Sequence, residues 1–191
     1  MEAHSGSIHS YMNEARRIAL KSLSPLTRSM IIAIKELGVK GERPINELLS
    51  SCKDINVKCL SPLIVVDRLA FLGIAEVREG IVRLTDYGKE MYNALKDFES
   101  TIESMMESII EKRLTPNDLY SYTIIPMASL LSSLSMVCEY PDKYTAFIAL
   151  AIHAYVTTLV SSALMIMMLE SDYLKEVFKK LEESVELIPS D

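Results

Sequence analysis

Three histidines, three cysteines and twenty-six acidic side chains are the groups with which this 191-residue chain could do chemistry. The histidines stand far apart, at positions 4, 9 and 153. No His-Glu-x-x-His pair, Gly-rich phosphate loop or paired-Cys zinc spacing occurs. His4 and His9 fall in a polar start expected to fray. His153 is expected to be a packed or hydrogen-bonded helix residue rather than a ligand or base. Glu103, Glu107 and Glu111 lie four apart, which makes a solvated helix face and not a metal site. Cys52, Cys59 and Cys138 are odd in number and widely spaced, so a disulfide framework is not expected and a reducing cytosol is. Cys52 and Cys59 bracket one short turn. They are expected to be packed thiols, with a redox switch as the alternative, because a bond there would shift the helix that follows. These residue types point away from an enzyme, and no cofactor or metal is expected.

The elements that would position these groups are mostly helices. Gly (6) and Pro (7) are few, Trp is absent, and 49% of residues are apolar, which suits a helical chain with a packed core. A short helix is expected from Tyr11, with Met12, Ala15, Ala19 and Leu23 at spacings of three and four. Ser24-Pro25 starts the next helix, which carries Leu26, Met30, Ile31, Ile34 and Leu37 and stops at Gly38. Gly41 to Pro44 reads as a break, Ile45–Cys52 as a second short helix, and Lys53–Lys58 as a polar turn. Ser61-Pro62 repeats the start signal for a third helix through Leu72, closed by Gly73. Alternation in Ile74–Arg78 and Ile81–Leu84 around Glu79-Gly80 reads as a β-hairpin. Thr85-Asp86 then opens a helix to about Leu95, with the Thr85 hydroxyl as its cap and Leu84 anchoring the strand end in the core.

The stretch Leu69-Ala70-Phe71-Leu72-Gly73-Ile74-Ala75-Glu76-Val77, then Gly80, then Val82-Arg83-Leu84-Thr85-Asp86-Tyr87-Gly88-Lys89-Glu90-Met91 resembles the winged helix-turn-helix of MarR/PadR-type transcriptional regulators. The resemblance covers residues 24–95, and its most specific part is the Arg-Leu-Thr-x-x-Gly step. It implies a recognition helix at Pro62–Leu72 for the major groove and a wing around Gly80 for the backbone or minor groove. Lys53, Lys58, Arg78 and Arg83 would then meet phosphates, while Ser61 and Arg68 would reach a base edge or a phosphate. The chain departs from a strong DNA binder in its recognition helix, which offers few groups able to read bases. There Ile64 or Val65 should face outward and Asp67 would repel phosphate. A winged helix that docks onto protein without reading DNA is therefore the alternative.

Charge agrees in direction. Residues 1–95 hold thirteen Lys/Arg and eleven Asp/Glu, whereas residues 96–191 hold seven and fifteen, so the N-terminal half is the better match for a polyanion. From Leu95 the period tightens. Phe98, Ile102, Met105 and Ile109 form a three-four seam expected to pair with another helix and to dimerise the chain. Beyond Thr115-Pro116, residues 119–138 and 144–169 carry no charge at all. Each is long enough to span a bilayer, and a hairpin of this kind is similar to the anchors of membrane-bound one-component regulators of archaea. The Ser, Thr and Ala clusters within both fit the centre of a soluble helical dimer equally well. Residues 170–191 read as an amphipathic helix carrying Leu174, Val177, Phe178, Leu181 and Val185.

The expectation is thus a mainly α chain with a small β-hairpin: a winged helix-turn-helix followed by a long helical C-terminal region. Residues 1–23 form an arm and short helix, 24–95 the winged unit, 96–118 a linking helix, 119–169 a membrane anchor or dimer core, and 170–191 a last helix. The expected function is that of a homodimeric regulator binding double-stranded DNA, cytoplasmic and either free or tethered to the inner membrane face. A protein–protein adaptor on the same fold is the alternative.

Overall fold

Each Ser-Pro step opens a helix. In the structure, a computed structural model that describes residues 2–113, 115, 124 and 143–186, helix α2 (Pro25–Lys40) starts behind Ser24, whose hydroxyl accepts from the Thr27 amide at 3.2 Å. Helix α4 (Pro62–Phe71) starts behind Ser61 without a side-chain cap bond, and the fixed φ of Pro62 suits its first turn. Helix α1 (Glu2–Ser22) runs back well before Tyr11, through residues expected to fray. Met12, Ala15 and Ala19 are completely buried and fix the helix, and extending a helix already nucleated costs little.

The short helix expected at Ile45–Cys52 does not form as one piece. The chain makes a single 3-10 turn at Ile45–Glu47, then Leu49 enters the left-handed region at φ 69°, and α3 (Ser51–Asp54) follows. The cause is tertiary. The buried carboxylate of Glu36 on α2 accepts from the Leu49 amide at 2.8 Å, the Ser51 amide at 2.7 Å and the Ser51 hydroxyl at 2.5 Å. It thereby satisfies donors at the start of α3, which has no side-chain cap of its own.

The break at Gly41–Pro44 contains a third strand. β1 (Glu42–Pro44) pairs antiparallel with β3 (Ile81–Leu84), and β3 pairs antiparallel with β2 (Ala75–Arg78), in the order β1-β3-β2. Three residues ending in proline carry no alternation to read, and an edge strand is where proline is tolerated. The β2–β3 hairpin lies where the alternation put it. Glu79 and Gly80 take φ of 52° and 78°, the two left-handed positions of a type I′ turn.

Helix α5 (Asp86–Ile110) is continuous across residue 95, where the sequence pattern changes. Its cap is as expected. Thr85 Oγ1 accepts from the Gly88 amide at 3.1 Å and donates to the Gly73 carbonyl at 2.6 Å. Gly88 has a second reason to be glycine, since a Cβ there would lie 2.1 Å from the carbonyl oxygen of Ile74.

Helices α6 (Lys143–Glu170) and α7 (Asp172–Glu186) complete the described chain. α6 takes in the second uncharged stretch and packs on α1 and α5. The residues expected to form a dimer seam pack within the chain. Ile102, Met105 and Ile109 are buried inside a single chain and Phe98 is half-buried, so the three-four spacing is satisfied by helices of the same molecule. The first uncharged stretch, 119–138, lies outside the described residues apart from Ile124. Among the described residues, one helix, Phe147–Leu169 within α6, is long and apolar enough to cross a membrane, and 44% of its most apolar window is already buried within the chain. On α7, Leu174 and Val177 are buried and Phe178 is half-buried, whereas the side chains of Leu181 and Val185 lie outside the described set.

Candidate nucleic-acid interface

Helix α4 divides its residues sharply. Val65, Val66 and Leu69 are buried where α4 meets α2 and β2, and each such side chain contributes about 1.5–3 kcal/mol by leaving water. The opposite side is uncovered. Leu63, Ile64 and Phe71 are 66%, 54% and 57% exposed, and Asp67 and Arg68 stand among them. Of the two candidates for an outward position, Ile64 is the exposed one and Val65 is in the core. The Arg68 guanidinium lies 5.7 Å from the Phe71 ring centroid, a cation–π distance that leaves the charge facing solvent.

The connection into α4 is held by α1, α2 and α3. Arg28 of α2 donates to the carbonyl of Lys58 at 3.0 Å while gripping those of Leu20 and Leu23 at 2.8 and 2.9 Å. The Ser29 hydroxyl accepts from the Leu60 amide at 2.9 Å. Cys52 and Cys59 are joined by a disulfide, which corrects the expectation of two packed thiols. The single turn of α3 and the chain that doubles back, tied by the Val57 amide to the Cys52 carbonyl at 3.0 Å, bring the two Cα atoms to 6.3 Å, inside the bonding range. Lys53, Lys58 and Ser61 are all exposed along this connection and at the start of α4.

The hairpin cations are less free than the sequence implied. Glu76 faces Arg83 across the β2–β3 ladder. Its carboxylate accepts from Arg83 Nε at 2.6 Å and from Arg78 Nη2 at 3.2 Å. The hydrogen bond from Arg83, with the charges of both arginines, holds the Glu76 carboxyl below its ordinary range. Arg83 also lines an open groove of about 890 Å³ with Lys40, Glu42, Asp86 and Lys89, so its surroundings carry both signs of charge. Arg78 is the more exposed of the pair, at 71% against 44%.

No protein-family model, curated protein or solved structure matches this chain.

The six residues named for DNA contact therefore fall into two groups. Lys53, Lys58 and Ser61 lead into α4, with Arg68 near its far end. Arg78 and Arg83 sit on the hairpin and share Glu76. Sequence reasoning missed the residues that place the first group: Glu36, Arg28 and Ser29, all on α2. Their pattern in the sequence is that of ordinary polar residues on an amphipathic helix, and only their long-range partners distinguish them. It also missed a charged cluster in which Glu99 of α5 accepts from Lys35 of α2, Arg16 of α1 and Tyr155 of α6. Among the described residues, no group of three His, Cys, Asp or Glu side chains is placed to hold a metal.

Proposed function

We propose that residues 24–95 are a winged helix-turn-helix and that the protein is a DNA-binding transcriptional regulator acting as a homodimer. The observation that carries this reading is α4. Its inner side is locked into the core, its outer side is uncovered, and exposed Lys53, Lys58, Ser61 and Arg68 lie along its approach and length. The order of helices before a hairpin, with a Thr-capped helix after it, supports the same reading, and the β2–β3 turn at Glu79-Gly80 would serve as the wing. Affinity would come mainly from phosphate neutralisation.

A gel-shift titration of the full chain on the DNA upstream of its own coding region tests this. Binding is expected at low salt and is expected to weaken steeply as salt rises. Arg68→Ala is expected to reduce affinity by about 1–3 kcal/mol if it meets a base edge. Arg83→Ala is expected to have a smaller effect, because Arg83 is already engaged by Glu76. No binding at low salt by a folded protein overturns the reading.

The second reading, a protein-docking adaptor, is favoured by the exposed Leu63, Ile64 and Phe71, since three large apolar side chains on one helix resemble an interface more than a phosphate-facing surface.

With the α5 seam taken up inside the chain, the dimer contact in this proposal moves to α6. Phe147, Leu150, Met165 and Met168 are exposed, and their spacing places them in one stripe of that helix. The same stripe would suit a bilayer, but Tyr155 in the middle of α6 is bonded to Glu99, and Lys35 and Arg16 come with it. A membrane around α6 in this packing would have to accept those charges as well, which supports the soluble dimer. Detergent-free fractionation followed by light scattering decides between them. A soluble protein of twice the chain mass is expected, and recovery only in the membrane pellet overturns it.

A further inference from the structure

Helix α3 has four residues, one turn, and is too short to hold its own shape. Two ties from outside fix it. At its start the Glu36 carboxylate holds the Leu49 and Ser51 amides. From its second residue the disulfide ties Cys52 to Cys59, in the connection that delivers Ser61 to the start of α4. The backbone on either side, at Leu49 and Asn56, sits at φ 69° and 54°. For Leu49 this costs on the order of 1 kcal/mol or more and persists only where the surroundings impose it, whereas Asn56 is a residue type that takes this conformation readily. The disulfide is therefore one of a small number of ties between a segment with little stability of its own, packed on α2, and the connection that leads into the proposed DNA-reading helix.

We propose that the Cys52–Cys59 bond is a thiol–disulfide exchange site whose oxidation state controls how α3 and the start of α4 are presented, and hence how tightly the α4 face binds. The affinity part of this rests on the DNA-binding reading above. Cys52 is buried and Cys59 is half-buried, so attack comes at Cys59. The reductant is a dithiol, protein or small molecule. One of its thiolates attacks the Cys59 sulfur, the S–S bond breaks, and Cys52 leaves as a thiolate that takes up a proton. The second thiol of the reductant then attacks the mixed disulfide and frees Cys59. The protein gains two electrons and two protons, and the reductant becomes a disulfide. The Val57 amide bond to Cys52, the Arg28 contact with Lys58 and the Ser29 contact with Leu60 do not involve the sulfurs. Reduction therefore loosens the segment without unfolding the chain.

Site-resolved alkylation of the full chain before and after dithiothreitol, with amide hydrogen exchange and DNA affinity measured in both states, tests the proposal. Cys52 and Cys59 are expected to resist alkylation until reduced. Reduction is expected to speed exchange across residues 49–62 while leaving 25–40 unchanged. It is also expected to lower affinity for the upstream DNA by at least about five-fold, the low end for two states that differ in ligand affinity. Reoxidation restores the wild type, whereas a Cys52→Ser/Cys59→Ser variant stays at the reduced values in either condition. The proposal is overturned if both cysteines label before reduction, if exchange across 49–62 does not respond, or if DNA affinity is equal in the two states; a bond that only staples the fold would change the melting temperature alone. If neither state binds DNA but exchange across 49–62 responds to reduction, the DNA-binding reading fails and the switch in α3 stands.

Discussion

The ammonium of Lys35 on α2 lies 2.5 Å from Oε1 of Glu99 on α5, and the Tyr155 hydroxyl of α6 donates to the same oxygen at 2.5 Å. Arg16 of α1 donates to the other oxygen at 3.0 Å and reaches Glu103 at 2.8 Å. Four helices meet at one carboxylate. The cluster joins α2, part of the proposed winged unit, to the helices that flank it, so the two halves of the chain share polar as well as apolar packing.

Removing the acceptor is expected to be more damaging than removing one donor. Glu99→Ala leaves Lys35, Arg16 and Tyr155 without their shared partner and is expected to cost about 3–5 kcal/mol, the range for breaking a buried ion pair. Tyr155→Phe keeps the ring and its packing and loses one hydrogen bond, at an expected cost of about 0.5–1.5 kcal/mol. Urea unfolding followed by circular dichroism measures both. Equal losses in the two variants would mean that Glu99 is not the centre of the cluster.

Stability should depend on pH at both ends through this cluster. Burial pushes the Glu99 carboxyl up, but the charges of Lys35 and Arg16 and the hydrogen bonds from Lys35 and Tyr155 more than offset it, and the net direction is down. A carboxyl depressed by folding contributes stability that is present above its unfolded pKa and is lost as pH falls through its folded pKa. The urea midpoint is expected to drop on acidification below about pH 4.5, and to drop less steeply in Glu99→Gln, which has no proton to take up there. Tyr155 has the opposite sense. Burial first, then the Glu99 charge, raises its pKa well above the ordinary value. The folded state keeps the phenol neutral while the unfolded chain ionises, so stability is lost as pH rises past about 10. Tyr155→Phe is expected to flatten that alkaline loss.

Gly88→Ala is expected to destabilise the protein although α5 is a helix and alanine favours helices. The added methyl would sit 2.1 Å from the Ile74 carbonyl oxygen, a backbone atom that cannot rotate away. α5 would have to shift off the end of β2, at an expected cost of about 1–3 kcal/mol or more. A thermal melt checks the sign. A stabilised variant would show that α5 does not approach Ile74 so closely.

Ile64→Lys separates the two readings of the α4 face. If this face meets DNA, the new cation is expected to raise affinity and to increase the salt slope by about one counterion. If the face docks onto protein, affinity for DNA does not respond, and the loss of an exposed apolar contact is expected to weaken partner binding instead. Because Ile64 is 54% exposed and outside the core, stability should stay within about 0.5 kcal/mol of wild type.

The sequence alone determined the local starts, turns and caps. Ser24-Pro25, Glu79-Gly80 and Thr85-x-x-Gly88 each act through atoms a few residues apart, so their chemistry is written in consecutive letters. It also determined which stretches are apolar and at what period, and so that the α5 seam must pack against a helix, while leaving the uncharged α6 open between a bilayer and a helical core. It did not determine which helices. The seam Ile102, Met105, Ile109 has the same spacing whether its partner is a second chain or α1 and α6 of the same one, and only the tertiary structure chose the latter. The split of the Ile45–Cys52 segment, the β1 edge strand, the Cys52–Cys59 bond and the pairing of Arg83 with Glu76 all depend on groups brought together by the fold. A carboxylate on α2 redirects the chain at Leu49, and β3 recruits three residues that carry no strand pattern of their own. Local propensity differs by a few tenths of a kcal/mol per residue, whereas a buried polar group left unsatisfied costs about 1–3 kcal/mol, and where the two conflict the long-range partner decides.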